Sequence, residues 1–149
     1  LGIEPVDWLG SPDTALTTII VADIWEWSPF IMIILLSGLV SLPTDPFEAA
    51  KIDGASPLQT FFYITLPLLK PIILIAVVLR TIDAVKIFGL VDVMTKGGPG
   101  GATKVITYFI YNQAFKYWSL SYAAAITFFI MPAMMVLVLI YFRVVRVRY

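Results

Sequence analysis

Four ionisable side chains, Arg80, Asp83, Lys86 and Asp92, interrupt an apolar run from about residue 71 to 94, and Asp23 and Glu26 interrupt another from about 14 to 42. Charge in such surroundings is costly unless it pairs or faces a polar path, so any chemistry is to be sought here first. On a helix, Arg80, Asp83, Ala84 and Ile87 share one face by their i, i+3, i+4, i+7 spacing. Glu26, Trp27 and Phe30 gather around Pro29, whose ring frees a backbone carbonyl and kinks a helix. Aromatic rings beside carboxylates and carbonyls suit a sugar, with rings for its apolar face and acceptors for its hydroxyls. Two other readings compete: the charges neutralise one another, Arg80 with Asp83 and Asp83 with Lys86, or Arg80, Asp83 and Lys86 form an ion relay. The chain has no histidine and no cysteine, which excludes disulfides, thiolate or imidazole metal sites and any Ser-His or Cys-His nucleophile pair.

These positions must be held by membrane-spanning elements. Of 149 residues, 60% are hydrophobic and 13% charged, with mean hydropathy +0.92; soluble domains run at roughly 45–50% and about 25%. Ten basic and ten acidic residues cancel, which gives no footing for nucleic acid. Three segments exceed the roughly 20 apolar residues that a bilayer requires: 14–42, 71–94 and 120–142. Their length and lack of period-two alternation point to helices. Lys and Arg placement sets the orientation. Arg143, Arg146 and Arg148 follow the third segment and Lys51 and Lys70 lie between the first two, against Lys96, Lys104 and Lys116 between the second and third. The expectation is a cytoplasmic 43–70 loop and 143–149 tail, with 1–13 and 95–119 outside.

The 43–70 loop carries its own start and stop signals. Asp45 as N-cap, Pro46 and Glu48 predict a capping box and a helix from Phe47 to about Asp53, with Gly54 as its left-handed exit. Ser56, Pro57 and Gln59 repeat the start for a second helix through Phe61, Phe62 and Ile64 that ends at Pro67, and Pro43 and Pro71 bracket the unit. Ala49 and Ala50 lower the helix profile for a close partner, Phe47 and Ile52 offer apolar anchors, and Glu48, Lys51 and Asp53 offer charge. From capping alone, an amphipathic connector packed under its own helices fits as well.

Glu48, Ala49, Ala50, Gly54, Ile64, Leu66 and Pro67, in the spacing Glu-Ala-Ala-x3-Gly-x9-Ile-x-Leu-Pro, resemble the EAA loop of membrane subunits of ATP-binding-cassette importers. The resemblance implies that Glu48, Ala49, Ala50, Asp53, Gly54 and Ala55 belong to a coupling helix seated in a cleft of the ATPase. Thr95-Lys96-Gly97-Gly98-Pro99-Gly100-Gly101 lacks the Gly-Lys-Ser/Thr ending of a phosphate-binding loop and reads most simply as a flexible turn. It also resembles the outer Thr-x-Gly-Gly-Pro loop of carbohydrate-type permeases, followed by Thr103 and a Tyr-Asn-x-Ala-Phe-like stretch from Tyr111 to Phe115.

The whole is similar to the C-terminal half of maltose-type permeases. It implies an all-α polytopic membrane protein of three transmembrane helices, part of a larger type I importer fold in the cytoplasmic (inner) membrane. Such permeases commonly have six or more spans, so further helices are expected. The implied partners are a second permease subunit, two ATPase subunits that bind the ATP, an extracytoplasmic solute-binding protein and a sugar. The chain itself is expected to hold no metal or cofactor and to perform no catalysis. Glu26, Trp27, Phe30, Asp83, Ala84 and Ile87 fall where sugar-importing members line their path. The alternatives are import of a polyol or glycerol phosphate, a secondary transporter or channel using Arg80, Asp83 and Lys86, and a structural subunit that docks a partner without conducting.

Overall fold

The computed structural model describes residues 6–144, and within them every regular element is helical. Helix α1 (Pro12–Val40) begins with Pro in its first turn and Asp13 at the positive end of the dipole. The turn before it is tied down: the Gly10 amide donates to Asp7 Oδ1 at 2.7 Å, and the Thr14 and Thr18 hydroxyls reach the carbonyls of Asp7 and Trp8 at 2.7 and 2.9 Å. Helix α2 is Asp45–Ile52. Helix α3 (Pro57–Val85) is followed by the short α4 (Gly89–Met94), then by α5 (Ile106–Tyr111) and α6 (Leu120–Val144). Three helices, α1, α3 and the Leu120–Arg143 stretch of α6, are long and apolar enough to cross a membrane. Arg143 lies in the last turn of α6; Arg146 and Arg148 lie outside the described residues.

The second apolar segment departs from expectation at both ends. Its helix starts at Pro57 and runs through Pro67 and Pro71, neither of which ends it. For Pro67 the reason is a π-helical turn at Phe61–Thr65, where the Leu66 amide bonds the Phe61 carbonyl five residues back. The widened turn relieves the clash between the Pro67 ring and the preceding turn that would otherwise break the helix. At the other end α3 stops at Val85, so Asp92 belongs to the separate α4. The Lys86 and Ile87 amides fall back to three-residue bonds with Asp83 and Ala84 at 3.0 and 3.4 Å, and Phe88 leaves helical space at φ −134°. Ile87 therefore does not continue the face of Arg80, Asp83 and Ala84.

Residues 6–27 and 81–135 form one compact unit. Its core is Ile19, Val91 and Tyr108, with Ile87, Phe88, Met94 and Val105 packed around it. Phe88 lies 6.0 Å from the Tyr108 ring and 4.9 Å from Tyr111, which in turn lies 5.2 Å from Phe115. The glycine-rich segment between α4 and α5 is a hydrogen-bonded knot, not an open turn. The buried Thr103 hydroxyl donates to the Gly98 carbonyl at 2.6 Å and meets the Thr95 hydroxyl at 2.7 Å. Lys104 and Lys116 lie over the Phe109 and Tyr108 rings, 5.2 and 5.7 Å from their centroids, so both have local ring contacts as well as a place in the charge count. Beyond α5, a second π turn (Asn112–Lys116) closes with the Ser119 amide on the Gln113 carbonyl, 2.8 Å, around Trp118 at φ +55°.

Residues 28–80 and 136–144 form the other unit. Gly38 of α1 meets Ile72 of α3 so closely that a Cβ would lie 2.6 Å from the Ile72 side chain, the close approach that small residues permit between membrane helices. Leu69, Leu74, Ala76 and Ala50 are also buried.

Gly97 gives a test of the knot. It sits at φ +79°, and a Cβ there would fall 2.7 Å from the Tyr108 ring, whereas Gly100 at φ +59° has open space around it. Gly97→Ala is expected to cost about 1–3 kcal/mol and Gly100→Ala only the backbone share, about 1 kcal/mol. Thermal unfolding of the purified protein in detergent checks this; equal losses would mean that Tyr108 does not pack on Gly97.

Candidate functional site

The loop between α1 and α3 is a helix-turn-helix built from local hydrogen bonds. Thr44, not Asp45, is the N-cap of α2; its carbonyl accepts from the Phe47 and Glu48 amides at 2.9 and 3.1 Å, and no side chain caps the end. The anticipated Asp45–Glu48 box is therefore absent. Asp45 already lies within the helix, and both carboxylates act on the first-turn dipole instead. At the far end, the Ala55 amide bonds the Ala50 carbonyl at 2.9 Å around Gly54 at φ +72°, a left-handed closure that an L-residue resists. Ser56 then starts α3 as expected: its amide donates to Gln59 Oε1 at 2.8 Å, and its hydroxyl accepts from the Gln59 amide at 3.4 Å.

This turn gathers Glu48, Ala49, Asp53 and Gly54 on its exposed surface, with Ala55 half-buried. Ala50 faces inward at 7% exposure, so only Ala49 lowers the outer profile. Of the two apolar anchors, Ile52 is 86% exposed and Phe47 is half-buried. Leu58 at the start of α3 is also largely exposed and adds an apolar position that the sequence reading did not weigh.

The candidate path residues are more dispersed. Glu26 and Trp27 on α1, Asp83 and Ala84 in the last turn of α3, and Ile87 in the break beyond it belong to one compact unit, and Phe30 belongs to the other. Glu26, Ala84 and Phe30 are exposed, while Trp27, Asp83 and Ile87 are half-buried. The break is held from a distance: the Thr107 hydroxyl of α5 donates to the Ile87 carbonyl. Thr107 was missed in the sequence, where its only signal is a hydroxyl inside the apolar run Val105–Tyr111. Asn112 was also missed; it is buried, and its Oδ1 has no hydrogen-bond partner. No cluster of metal-ligating residues occurs among the described residues.

The Gly54 geometry separates two causes of failure. A Cβ at 54 meets nothing within 4 Å, so the obstacle inside this chain is φ alone. Asn, which tolerates the left-handed region, should keep most of the wild-type stability. Val, costing about 1–3 kcal/mol there, should lower it clearly. Thermal unfolding of Gly54→Asn and Gly54→Val in detergent would show that order; equal loss in both would mean that φ is not the obstacle.

The family of binding-protein-dependent transport system inner membrane components matches residues 3–147. The trehalose/maltose transport system permease protein MalF of Thermococcus litoralis is 51% identical over 112 residues, covering 75% of this chain and 38% of that protein. The sulfoquinovosyl glycerol permease SmoG of Agrobacterium fabrum is 36% identical over 148 residues, 99% of this chain and 48% of its own. The lactose permease LacF of Rhizobium radiobacter is 36% identical, with coverages of 97% and 50%. A bacterial alginate ABC transporter, crystallised with a periplasmic protein carrying an alginate pentasaccharide, superposes with a TM-score of 0.85 at 26% identity, over 97% of this chain and 51% of that one. The chain thus spans half or less of the length of these relatives. The helical architecture, the three membrane-length helices and the near end-to-end family match agree: this chain belongs to the binding-protein-dependent transport system inner membrane components.

Proposed function

We propose that this chain supplies part of the translocation path of an ATP-driven, binding-protein-dependent sugar importer and couples it to the ATPase through the Asp45–Ser56 turn. The observation that carries the reading is that turn itself. An eight-residue helix with exposed Glu48, Ala49 and Ile52 is closed by Gly54 at φ +72° and leads directly into a capped membrane-length helix. A short rigid helix joined this way to a span can pass a partner's movement into the membrane, a rigid-body route to alternating access. The sugar class is supported by the relatives' names, which include trehalose, maltose, lactose and a sulfoquinovosyl glycerol.

In this reading the 43–70 loop and the C-terminal end face the cytoplasm, and the 95–119 segment faces the binding protein. Two ATPase subunits and a second permease subunit complete the assembly, and ATP stays on the ATPases. Glu48, Ala49, Ala50, Asp53, Gly54 and Ala55 form the coupling element; Glu26, Trp27, Phe30, Asp83, Ala84 and Ile87 contribute to the path. An ion relay through Arg80, Asp83 and Lys86 would leave the built turn without a purpose.

The test uses the full-length permease with its partner permease, ATPases and binding protein in liposomes. ATP hydrolysis is followed with maltose, trehalose, lactose and xylose. One sugar should raise the rate several-fold, and Trp27→Ala or Asp83→Asn should shift its half-saturating concentration while assembly persists. No response to any sugar, or uptake that survives ATP depletion, would overturn the reading.

A further inference from the structure

The break between α3 and α4 is the one interruption inside the second apolar segment, and it immediately follows Asp83 and Ala84 and contains Ile87. Irregular backbone at membrane depth is tolerated where protein buries it or where it lines a cavity, because each freed peptide group needs a partner. At this break the partner comes from twenty residues away. The Thr107 hydroxyl donates to the Ile87 carbonyl, and next to it Phe88 packs on Tyr108 and Tyr111. Tyr108 in turn covers Gly97 of the loop that Thr95 and Thr103 tie together. The hydroxyl of Thr107 is the direct polar link from this outer assembly to the break itself.

We propose that Thr107 is a positioning residue for sugar recognition. By holding the Ile87 carbonyl it fixes where the chain leaves α3, and with it the placement of Ile87 and of the last turn carrying Asp83 and Ala84. Thr107 touches no substrate; it acts through Ile87. This rests on the path assignment made above. A purely architectural role for the outer segment predicts something different, namely that loosening the Thr95–Thr103 knot would have the same effect as removing the Thr107 hydroxyl.

The experiment uses the same reconstituted importer and the sugar of the panel that stimulates it most. Thr107→Val keeps the shape and removes the donor, Thr107→Ser keeps the donor, and Thr103→Val loosens the knot while leaving Thr107 in place. For Thr107→Val the half-saturating sugar concentration should rise about tenfold, the scale of one lost hydrogen bond, with the maximal stimulated rate within about twofold of wild type. Thr107→Ser should stay within about twofold in both quantities, and Thr103→Val should not reproduce the shift. The proposal is overturned by an unchanged half-saturating concentration in Thr107→Val, by a fall in maximal rate alone, by failure of that variant to assemble with the ATPases, by failure of Thr107→Ser to rescue, or by an equal shift in Thr103→Val. A wild-type importer silent to every sugar would instead remove the path assignment, and this inference with it.

Discussion

A peptide group in hydrocarbon has nowhere to turn but the protein, and this requirement organises the chain. At several deviations of the long helices, freed donors and acceptors find partners within the chain, some next door and one twenty residues away. The turn before Pro67 widens so that the Leu66 amide reaches Phe61. The turn beyond α5 widens too, with the Tyr117 amide on the Asn112 carbonyl, and the Ser119 amide closes its end on Gln113. At the end of α3 the Ile87 carbonyl is met by the Thr107 hydroxyl. The Asp45–Ser56 turn follows the same rule, closed at one end by Ala55 on Ala50 and at the other by the Ser56–Gln59 box.

Packing inside the chain is thin by comparison. Ile19, Val91 and Tyr108 make a small buried core in one unit, and the Gly38–Ile72 approach anchors the other. Many large apolar side chains remain exposed, among them Trp25, Met32, Phe128, Phe129 and Met131. In a membrane, surfaces of this kind face lipid or other helices.

What could be read directly from sequence was whatever depends on a few neighbouring residues. The Ser56-Pro57-x-Gln59 start, the Gly54 exit and the presence of three membrane-length helices survive in the structure, while the bounds of the second do not. The errors share one cause, a contest between two local rules that more distant geometry decides. Thr44 and Asp45 are both good caps, and Thr44 took the position by its carbonyl rather than its hydroxyl. Pro67 is a helix breaker only where the preceding turn is an ordinary α turn, and a π turn precedes it here. The stop after Val85 lies beside Lys86 and Gly89, neither of which forces a helix to end in an apolar run, and the partner that holds it, Thr107, is twenty residues away. Resemblance to a known family adds what local rules cannot: it offers the Asp45–Ser56 turn as a surface for a partner, where capping alone leaves a plain connector equally open.

The near-bare condition of the outer two long helices has a bearing on biogenesis. Only 6% of the most apolar stretch of α1, and 6% of that of α6, is buried within the described chain, against 28% for α3. Such helices leave most of their apolar surface to lipid or to other helices, and keep their own backbone bonds whichever of the two covers it. Each can therefore enter the bilayer as a separate event, before any tertiary contact exists. Assembly then becomes a lateral search among helices already formed.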